Sequence, residues 1–229
     1  MFKHSVLYFV ALAFAGTVAV SVQAKELKSD KDRLSYSIGA SIATNLKKEK
    51  TDFDVNLVIQ GLKDAAGGKK LAIPEKEARM ILGKYQIELR KRMTEERKLA
   101  TLDNKQKGDA FLAENQKKKG VVTLPGGVQY NVIKQGKGEI PQLQNEIEVN
   151  YRGSLIDGKV FDETEPGQPA TLKVSSLIPG WKQAITNMPL GSKWHIVIPP
   201  QLAYGDRGVG TDIGPNEVLV FDVELLAIK

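Results

Sequence analysis

Between positions 177 and 181 the chain reads Leu177-Ile178-Pro179-Gly180-Trp181, and Lys182-Gln183-Ala184-Ile185-Thr186 follows. Pro179 suits the first turn of a helix, where its missing N–H has no intrahelical partner to lose. Trp181 and Ile185 stand four apart and so share a face. Pro189 ends the helix, because a residue before proline, here Met188, is pushed out of the α region. The spacing predicts a very short helix with a large aromatic near its start. A tryptophan so placed either fills a core or floors an apolar cleft. Five aromatic residues in this half, Tyr151, Phe161, Trp181, Tyr204 and Phe221, can face one cavity together with Leu177, Ile178 and Ile213. Few polar groups accompany them: the Tyr204 hydroxyl, the Asp162 carboxylate and backbone amides. Such a cavity suits an apolar group oriented by one or two hydrogen bonds. It offers no evident nucleophile, metal or base, so hydrolysis and phosphoryl transfer fit it poorly.

Composition narrows the chemistry further. Cysteine is absent from the 229 residues, which excludes a disulfide framework, a thiol nucleophile and a Cys-type metal site. The two histidines are His4 and His195, so any Ser-His-Asp triad has only His195 to use, and no cofactor or metal is expected. The formal net charge is +6, but residues 25–119 carry about +8 and residues 120–229 about −3. The basic excess belongs to one segment and is interleaved with acids there, which argues against a nucleic-acid surface. Gly136-Lys137-Gly138 lacks the third glycine and the following helix of a phosphate loop, and reads as a plain turn.

Residues 1–24 read as an export signal. Lys3 supplies the positive start, residues 6–20 are almost wholly apolar, and Val22-Gln23-Ala24 ends in small residues suited to cleavage. The apolar run is short for a membrane span of about 20 residues, an uncleaved anchor being the competing reading. The mature chain is expected to begin near Lys25, to keep no stable membrane span, and to reside in the periplasm or outside the cell.

The elements that would position the cleft divide into two halves. Ser29 and Asp30 open a helix in which Leu34, Ile38, Ile42 and Leu46 recur every fourth residue. A second helix starts at Asp54, with Val55, Val58, Ile59 and Leu62 on one face, and stops at Gly67-Gly68. Two such helices are too small to bury a core alone, and a second copy of the chain is the commonest partner. Ile73-Pro74 opens a third helix, with Glu75 and Glu77 in its first turn. It is predicted to run to about residue 119, on the order of 65 Å. Its first third is apolar (Met80, Ile81, Leu82, Tyr85, Ile87, Leu89 and Met93) and can pack on the two short helices. The remainder is sparse in apolar residues and is predicted to be a solvated spacer, with Gly108 as a point for a bend and Lys117–Lys119 at the helix C-terminus.

From residue 120 the period changes to two. Strands are predicted over 128–133, 146–155, 160–162, 170–174, 193–198 and 218–228, with Asp157-Gly158 as a hairpin turn. In the 146–155 strand Ile147, Val149, Tyr151, Gly153 and Leu155 face one way. In 193–198, Trp194, Ile196 and Ile198 share a face and His195 takes the other, as a surface residue.

Val149-Asn150-Tyr151, Asp157-Gly158, Val160-Phe161-Asp162, Ile178-Pro179-Gly180-Trp181, Leu202-Ala203-Tyr204-Gly205, Ile213-Gly214-Pro215-Asn216 and Leu219-Val220-Phe221-Asp222-Val223-Glu224-Leu225 occur in that order. This series resembles the FKBP-type peptidyl-prolyl cis–trans isomerases across essentially all of residues 120–229. The helical N-terminal half resembles the macrophage infectivity potentiator (Mip) class and the periplasmic FKBP chaperones. The resemblance implies an α+β protein: a signal peptide over 1–24, a helical dimerisation module over 25–72, a connecting helix over 73–119 and an isomerase domain over 120–229. The domain would be an antiparallel sheet wrapped around the short helix. It implies a V-shaped homodimer formed through residues 25–95. It further implies that Trp181 floors the pocket, that Tyr151, Phe161, Leu177, Ile178, Ile213 and Phe221 wall it, and that the Ile178 amide and Tyr204 hydroxyl donate to carbonyls of a bound peptide or macrolide inhibitor. Asp162 would be a polar contact. Ala170 stands where many members have an aromatic wall and Val209 where some have a histidine, so the cleft should be more open at those two substrate-binding positions. The expected activity is prolyl isomerisation of unfolded or partly folded exported proteins, with chaperone activity. The alternative is a client-binding chaperone or host-contact protein that grips proline segments without catalysis. Surface or outer-membrane association is compatible with either.

Overall fold

The computed structural model describes residues 27–229, and the export-signal expectation for residues 1–24 lies outside them. Two compact units divide the chain, one ending at Ala78 and one running Arg79–Lys229.

In the first unit, α1 (Asp30–Lys48) is started by a reciprocal cap: Asp32 N–H donates to Ser29 Oγ at 3.1 Å, and Ser29 N–H to Asp32 Oδ2 at 3.2 Å. Asp54 caps α2 (Val55–Ala66), accepting from Asn56 N–H at 2.7 Å. Neither helix contains a buried residue. Leu34 is 63% exposed and Leu62 50%, so the apolar stripes read in the sequence are present but uncovered within the single chain.

Helix α3 (Glu75–Asn115) follows Pro74, whose carbonyl accepts from Ala78 N–H at 3.0 Å. It ends short of residue 119, so Lys117–Lys119 lie beyond it; Lys117 pairs with Glu114 and Lys118 lies over the Phe111 ring. The helix runs unbroken through Gly108, where a bend was expected, and Gly108 is buried. A Cβ there would come within 2.8 Å of Val218 Cγ2, so the glycine lets the helix backbone lie against the domain. Nor is the distal part a solvated spacer. Arg97, Asn104, Gly108 and Asn115 recur at seven, four and seven residues, one stripe of an α-helix, and each meets the β-rich part of the second unit. Asn115 Nδ2 donates to Gln129 Oε1 at 2.9 Å, and Gln129 Nε2 to the Leu112 carbonyl at 3.0 Å, so this buried pair of amides is satisfied.

Among the described residues seven antiparallel strands form one sheet: β1 (Val121–Thr123), β2 (Gln129–Lys134), β3 (Glu146–Leu155), β4 (Val160–Glu163), β5 (Ala170–Lys173), β6 (Lys193–Ile198) and β7 (Leu219–Ile228). The order is β1-β2-β6-β7-β3-β4, with β5 also on β3. On the side away from β7, the start of β3 pairs with β5 and its end with β4. The predicted alternation of β3 holds: Ile147, Val149, Gly153 and Leu155 are buried and Tyr151 is half-buried. Helix α4 (Pro179–Ile185) buries Gly180, Trp181, Ala184 and Ile185. They join a core with Ile147, Val149, Ile196, Ile198, Leu219 and Val223 from the inner face of the sheet. Trp194 is buried too and stacks on Tyr130, ring centroids 3.9 Å apart. His195 lies on the other face, its Nδ1 2.7 Å from Oδ1 of its register partner Asp222.

Candidate active site

The register of three strands creates the site. Gly153 of β3 is opposite Phe221 on β7 and Asp162 on β4, which places Phe161 beside it as well. A Cβ on Gly153 would lie 2.7 Å from Phe161 and 2.8 Å from Phe221, so the missing side chain is the space that the two rings occupy. Helix α4 delivers Trp181 from the opposite side. The result is a connected series of edge-to-face contacts: Tyr151 to Trp181 at 5.5 Å, Trp181 to Phe221 at 5.2 Å, and Phe221 to Phe161 at 5.6 Å. Each such pair is worth about 0.5–1.5 kcal/mol beyond area burial. Linked in series, they hold four rings in one geometry. Trp181 is only 4% exposed and Phe221 5%, so the deepest part of the cleft is preformed and shielded from water.

The cleft has a volume of about 220 Å³ and is completed by Leu172, Ser176, Leu177, Ile178, Asp162 and Tyr204. Larger grooves of about 310 and 850 Å³ flank α3, but they carry charged linings and no aromatic ring. The aromatic cleft is the one suited to an apolar group.

Its polar equipment is sparse. The Tyr151 hydroxyl donates to Asp162 Oδ2 at 2.6 Å. Burial first, then this bond to a carboxylate, pushes the Tyr151 phenol well above its usual range, so it keeps its proton. Asp162 is thereby committed as an acceptor. Tyr204 lines the same cleft with a side chain 38% exposed. Ile178 is the N-cap of α4, with extended backbone (φ −60°, ψ 152°). Its carbonyl accepts from Lys182, while its own N–H takes no acceptor among the described residues. The lining thus includes a tyrosine hydroxyl and a residue whose backbone amide has no internal acceptor among the described residues, beside an apolar floor. Among the described residues no group of His, Cys, Asp and Glu is placed to hold a metal.

Eight of the residues singled out in the sequence meet here: Tyr151, Phe161, Asp162, Leu177, Ile178, Trp181, Tyr204 and Phe221. The other three lie elsewhere in the same core and its flanking loop. Ala170 is on β5 opposite Val149, half-buried against the core. Ile213 is buried and lines the groove beside α3, and exposed Val209 bridges to it. Leu172 and Ser176 do line the cleft without having been singled out. Leu172 shares the inward side of β5 with Ala170, a period-two signal that was available; Ser176, on a 3₁₀ turn, carried none.

Residues 137–226 match the family described as FKBP-type peptidyl-prolyl cis-trans isomerase, and residues 31–132 match the domain amino terminal to FKBP-type peptidyl-prolyl isomerase. The chain belongs to the FKBP-type peptidyl-prolyl cis–trans isomerases, with both the helical and the catalytic region of that class. It is 43% identical over 214 residues to outer membrane protein MIP of Legionella longbeachae, covering 93% of this chain and 92% of that one. It is 40% identical over 229 residues to peptidyl-prolyl cis-trans isomerase Mip of Coxiella burnetii, covering 99% of each. Its structure is similar to the crystal structure of FkpA from Escherichia coli, with a TM-score of 0.67 and 35% identity, covering 89% of this chain and 99% of that one. No helix among the described residues is long and apolar enough to cross a membrane.

Proposed function

We propose that the aromatic cleft seats the prolyl ring of an unfolded or partly folded exported protein and lowers the barrier to rotation of the preceding peptide bond. The observation that carries this reading is the edge-to-face series Tyr151–Trp181–Phe221–Phe161, in a cleft that Ile178 and Tyr204 also line. The planar amide resists rotation by about 18–20 kcal/mol because it is resonance-stabilised. The twisted amide loses that resonance and separates less charge, so it suffers less on leaving water. A shielded aromatic floor therefore favours the twisted state over the planar one. The Ile178 N–H and Tyr204 O–H hold the neighbouring carbonyls while the bond turns. No bond is made or broken, which agrees with a cleft whose one carboxylate is already occupied by Tyr151. Each 1.36 kcal/mol of preferential stabilisation gives tenfold in rate.

In this reading Leu177 and Ile213 wall the cleft beside Ile178, and Ala170 and Val209 are the substrate-binding positions at its more open sides. Residues 25–72 form a dimerisation module whose contacts extend to residue 95, 73–119 connect it, and 120–229 carry the site. The uncovered apolar residues Leu34, Ile38 and Leu62 support a second copy as the partner. The mature protein works in the periplasm, where slow prolyl isomerisation limits folding, and surface association is a variant of the same location. Macrolides that bind FKBP clefts would occupy the same floor.

The test is the cis-to-trans rate of a short Xaa-Pro peptide with mature 25–229 and with its Tyr204→Ala and Trp181→Ala forms. Fast catalysis, weakened in both variants and blocked by a pocket-filling macrolide, supports the reading. A folded wild-type protein that leaves the spontaneous rate unchanged rejects it in favour of a client-binding module.

A further inference from the structure

We propose that Arg97, on α3, is a positioning residue for isomerisation: its guanidinium holds the main chain of the loop that presents Tyr204 to the cleft. The inference rests on the reading of Tyr204 given above.

Residues 203–216 carry Tyr204 at their start and lie between the 3₁₀ turn Pro200–Leu202 and β7, outside every named strand and helix. Gly205, Gly208 and Gly210 all have positive φ, so local sequence does little to stiffen the backbone. Internal bonds fold it back: Gly205 N–H donates to the Pro200 carbonyl at 2.9 Å and Asn216 N–H to the Gly205 carbonyl at 2.8 Å. Val209 and Ile213 also exchange N–H···O=C bonds at 2.9 and 3.3 Å, and the other ties come from outside. Lys159 Nζ reaches Asp212 Oδ1 at 2.9 Å, at the far bend. Asn104 Nδ2 donates to the Pro215 carbonyl at 2.9 Å, at the exit. Nearest Tyr204, Arg97 Nη2 donates to the carbonyls of Asp206 at 2.9 Å and Arg207 at 3.1 Å.

Arg97 thus grips two successive peptide units, the first only two residues beyond Tyr204. Open grooves lie beside this grip, while Ile213 further along the loop is buried in the core. A groove of about 850 Å³ lies on one side, with Arg97, Arg207 and Pro215 in its lining, and one of about 310 Å³, lined in part by Gly205 and Asp206, on the other. At Asp206 and Arg207 the loop is tied to the helix by these directed hydrogen bonds. A planar guanidinium fixes both carbonyls at once, which a lysine ammonium, a mobile point charge, does less well. The hold is transmitted along the main chain to Tyr204, whose side chain is 38% exposed.

The experiment is a double-mutant cycle in mature 25–229, reading kcat/KM on a short Xaa-Pro peptide, with thermal unfolding as a check on folding. We expect Arg97→Ala to lower kcat/KM by about fivefold, Arg97→Lys to restore part of the loss, and Arg97→Ala to change little when Tyr204→Phe is already present, because coupled residues are not additive. An equal fold-loss from Arg97→Ala with and without Tyr204→Phe, or no loss at all from Arg97→Ala, overturns the proposal. If Tyr204→Phe alone leaves kcat/KM unchanged, the reading of Tyr204 itself fails and the proposal falls with it; if Tyr204→Phe lowers it and Arg97→Ala does not, only the role of Arg97 is rejected.

Discussion

The Tyr151 hydroxyl and Asp162 are joined at 2.6 Å across the β3–β4 edge of the cleft, the phenol donating to the carboxylate. Burial and this bond raise the folded-state pKa of Tyr151, so the folded protein holds that proton more tightly than the unfolded chain. The associated stability is fully present below the unfolded pKa of about 10 and is lost as pH rises through the higher folded value. We expect Tyr151 to be among the last tyrosines to ionise in an ultraviolet phenolate titration, and Tyr151→Phe to remove that late step. The same change should lower kcat/KM by a few-fold, since a hydrogen bond to a carboxylate is worth about 1.5–3 kcal/mol and less at exposed Asp162. An unaltered titration curve for the variant would refute the assignment.

Gly153 has no room for a methyl group. We expect Gly153→Ala to displace the rings of Phe161 and Phe221, at a cost of about 1–3 kcal/mol for overpacking. Urea unfolding should show the stability loss, and peptide kinetics a raised KM. A variant as stable and active as wild type would mean that the rings move aside freely and that the cleft is not preformed.

Glu217 gives the opposite pH signature to an ordinary paired acid. Burial, then the nearby Asp157 charge, raises its pKa, against the lowering influence of Lys107 and the Asn104 bond. Its folded form favours the proton, so its contribution is present at low pH and lost as pH rises from the carboxylate range through the raised value. Asp212, lowered by its bond and ion pair to Lys159, contributes above the unfolded pKa of 3.8 and loses that contribution as pH falls. Thermal unfolding should therefore find Glu217→Gln more stable than wild type at neutral pH, with the gain fading near about pH 4, while Asp212→Asn is neutral or destabilising. A neutral-pH loss for Glu217→Gln would contradict this.

The open apolar stripes of α1 and α2 lead to an assembly test. Fully burying a Leu or Ile side chain is worth about 1.5–3 kcal/mol, and here several remain in water. We expect mature protein to sediment as a dimer, and Leu34→Glu with Ile38→Glu to sediment as a monomer with little change on a short peptide. Its assistance to an unfolded protein client should drop. A monomeric wild-type chain at micromolar concentration would remove the dimer from the proposal.

What the sequence disclosed follows from where the signals are periodic and apolar. Strands β3 and β6 were legible because buried and open positions alternate, as at Ile147 and Glu148 or Trp194 and His195. The short helix was legible from Pro179 and the Trp181–Ile185 spacing. The domain-facing stripe of α3 was not, because Arg97, Asn104, Gly108 and Asn115 dock through hydrogen bonds and a bare backbone, and none of them scores as apolar. The cleft's aromatic members were legible as a set of rings in one half of the chain, and Leu172 and Ser176 were missed. Ile213, an isoleucine in a glycine-rich loop, has no strand or helix period to place it; it is buried in the same core as Trp181 and Phe221 and also lines the groove beside α3.

The two tryptophans of the chain occupy very different surroundings, and each can be followed by light. Trp181 floors the cleft against Tyr151 and Phe221, whereas Trp194 is locked in a stack with Tyr130 and lines no part of it. An occupant of the cleft touches one indole and leaves the other as an internal standard. The emission of the protein therefore carries a built-in binding signal, separable from its folding signal without attaching a dye.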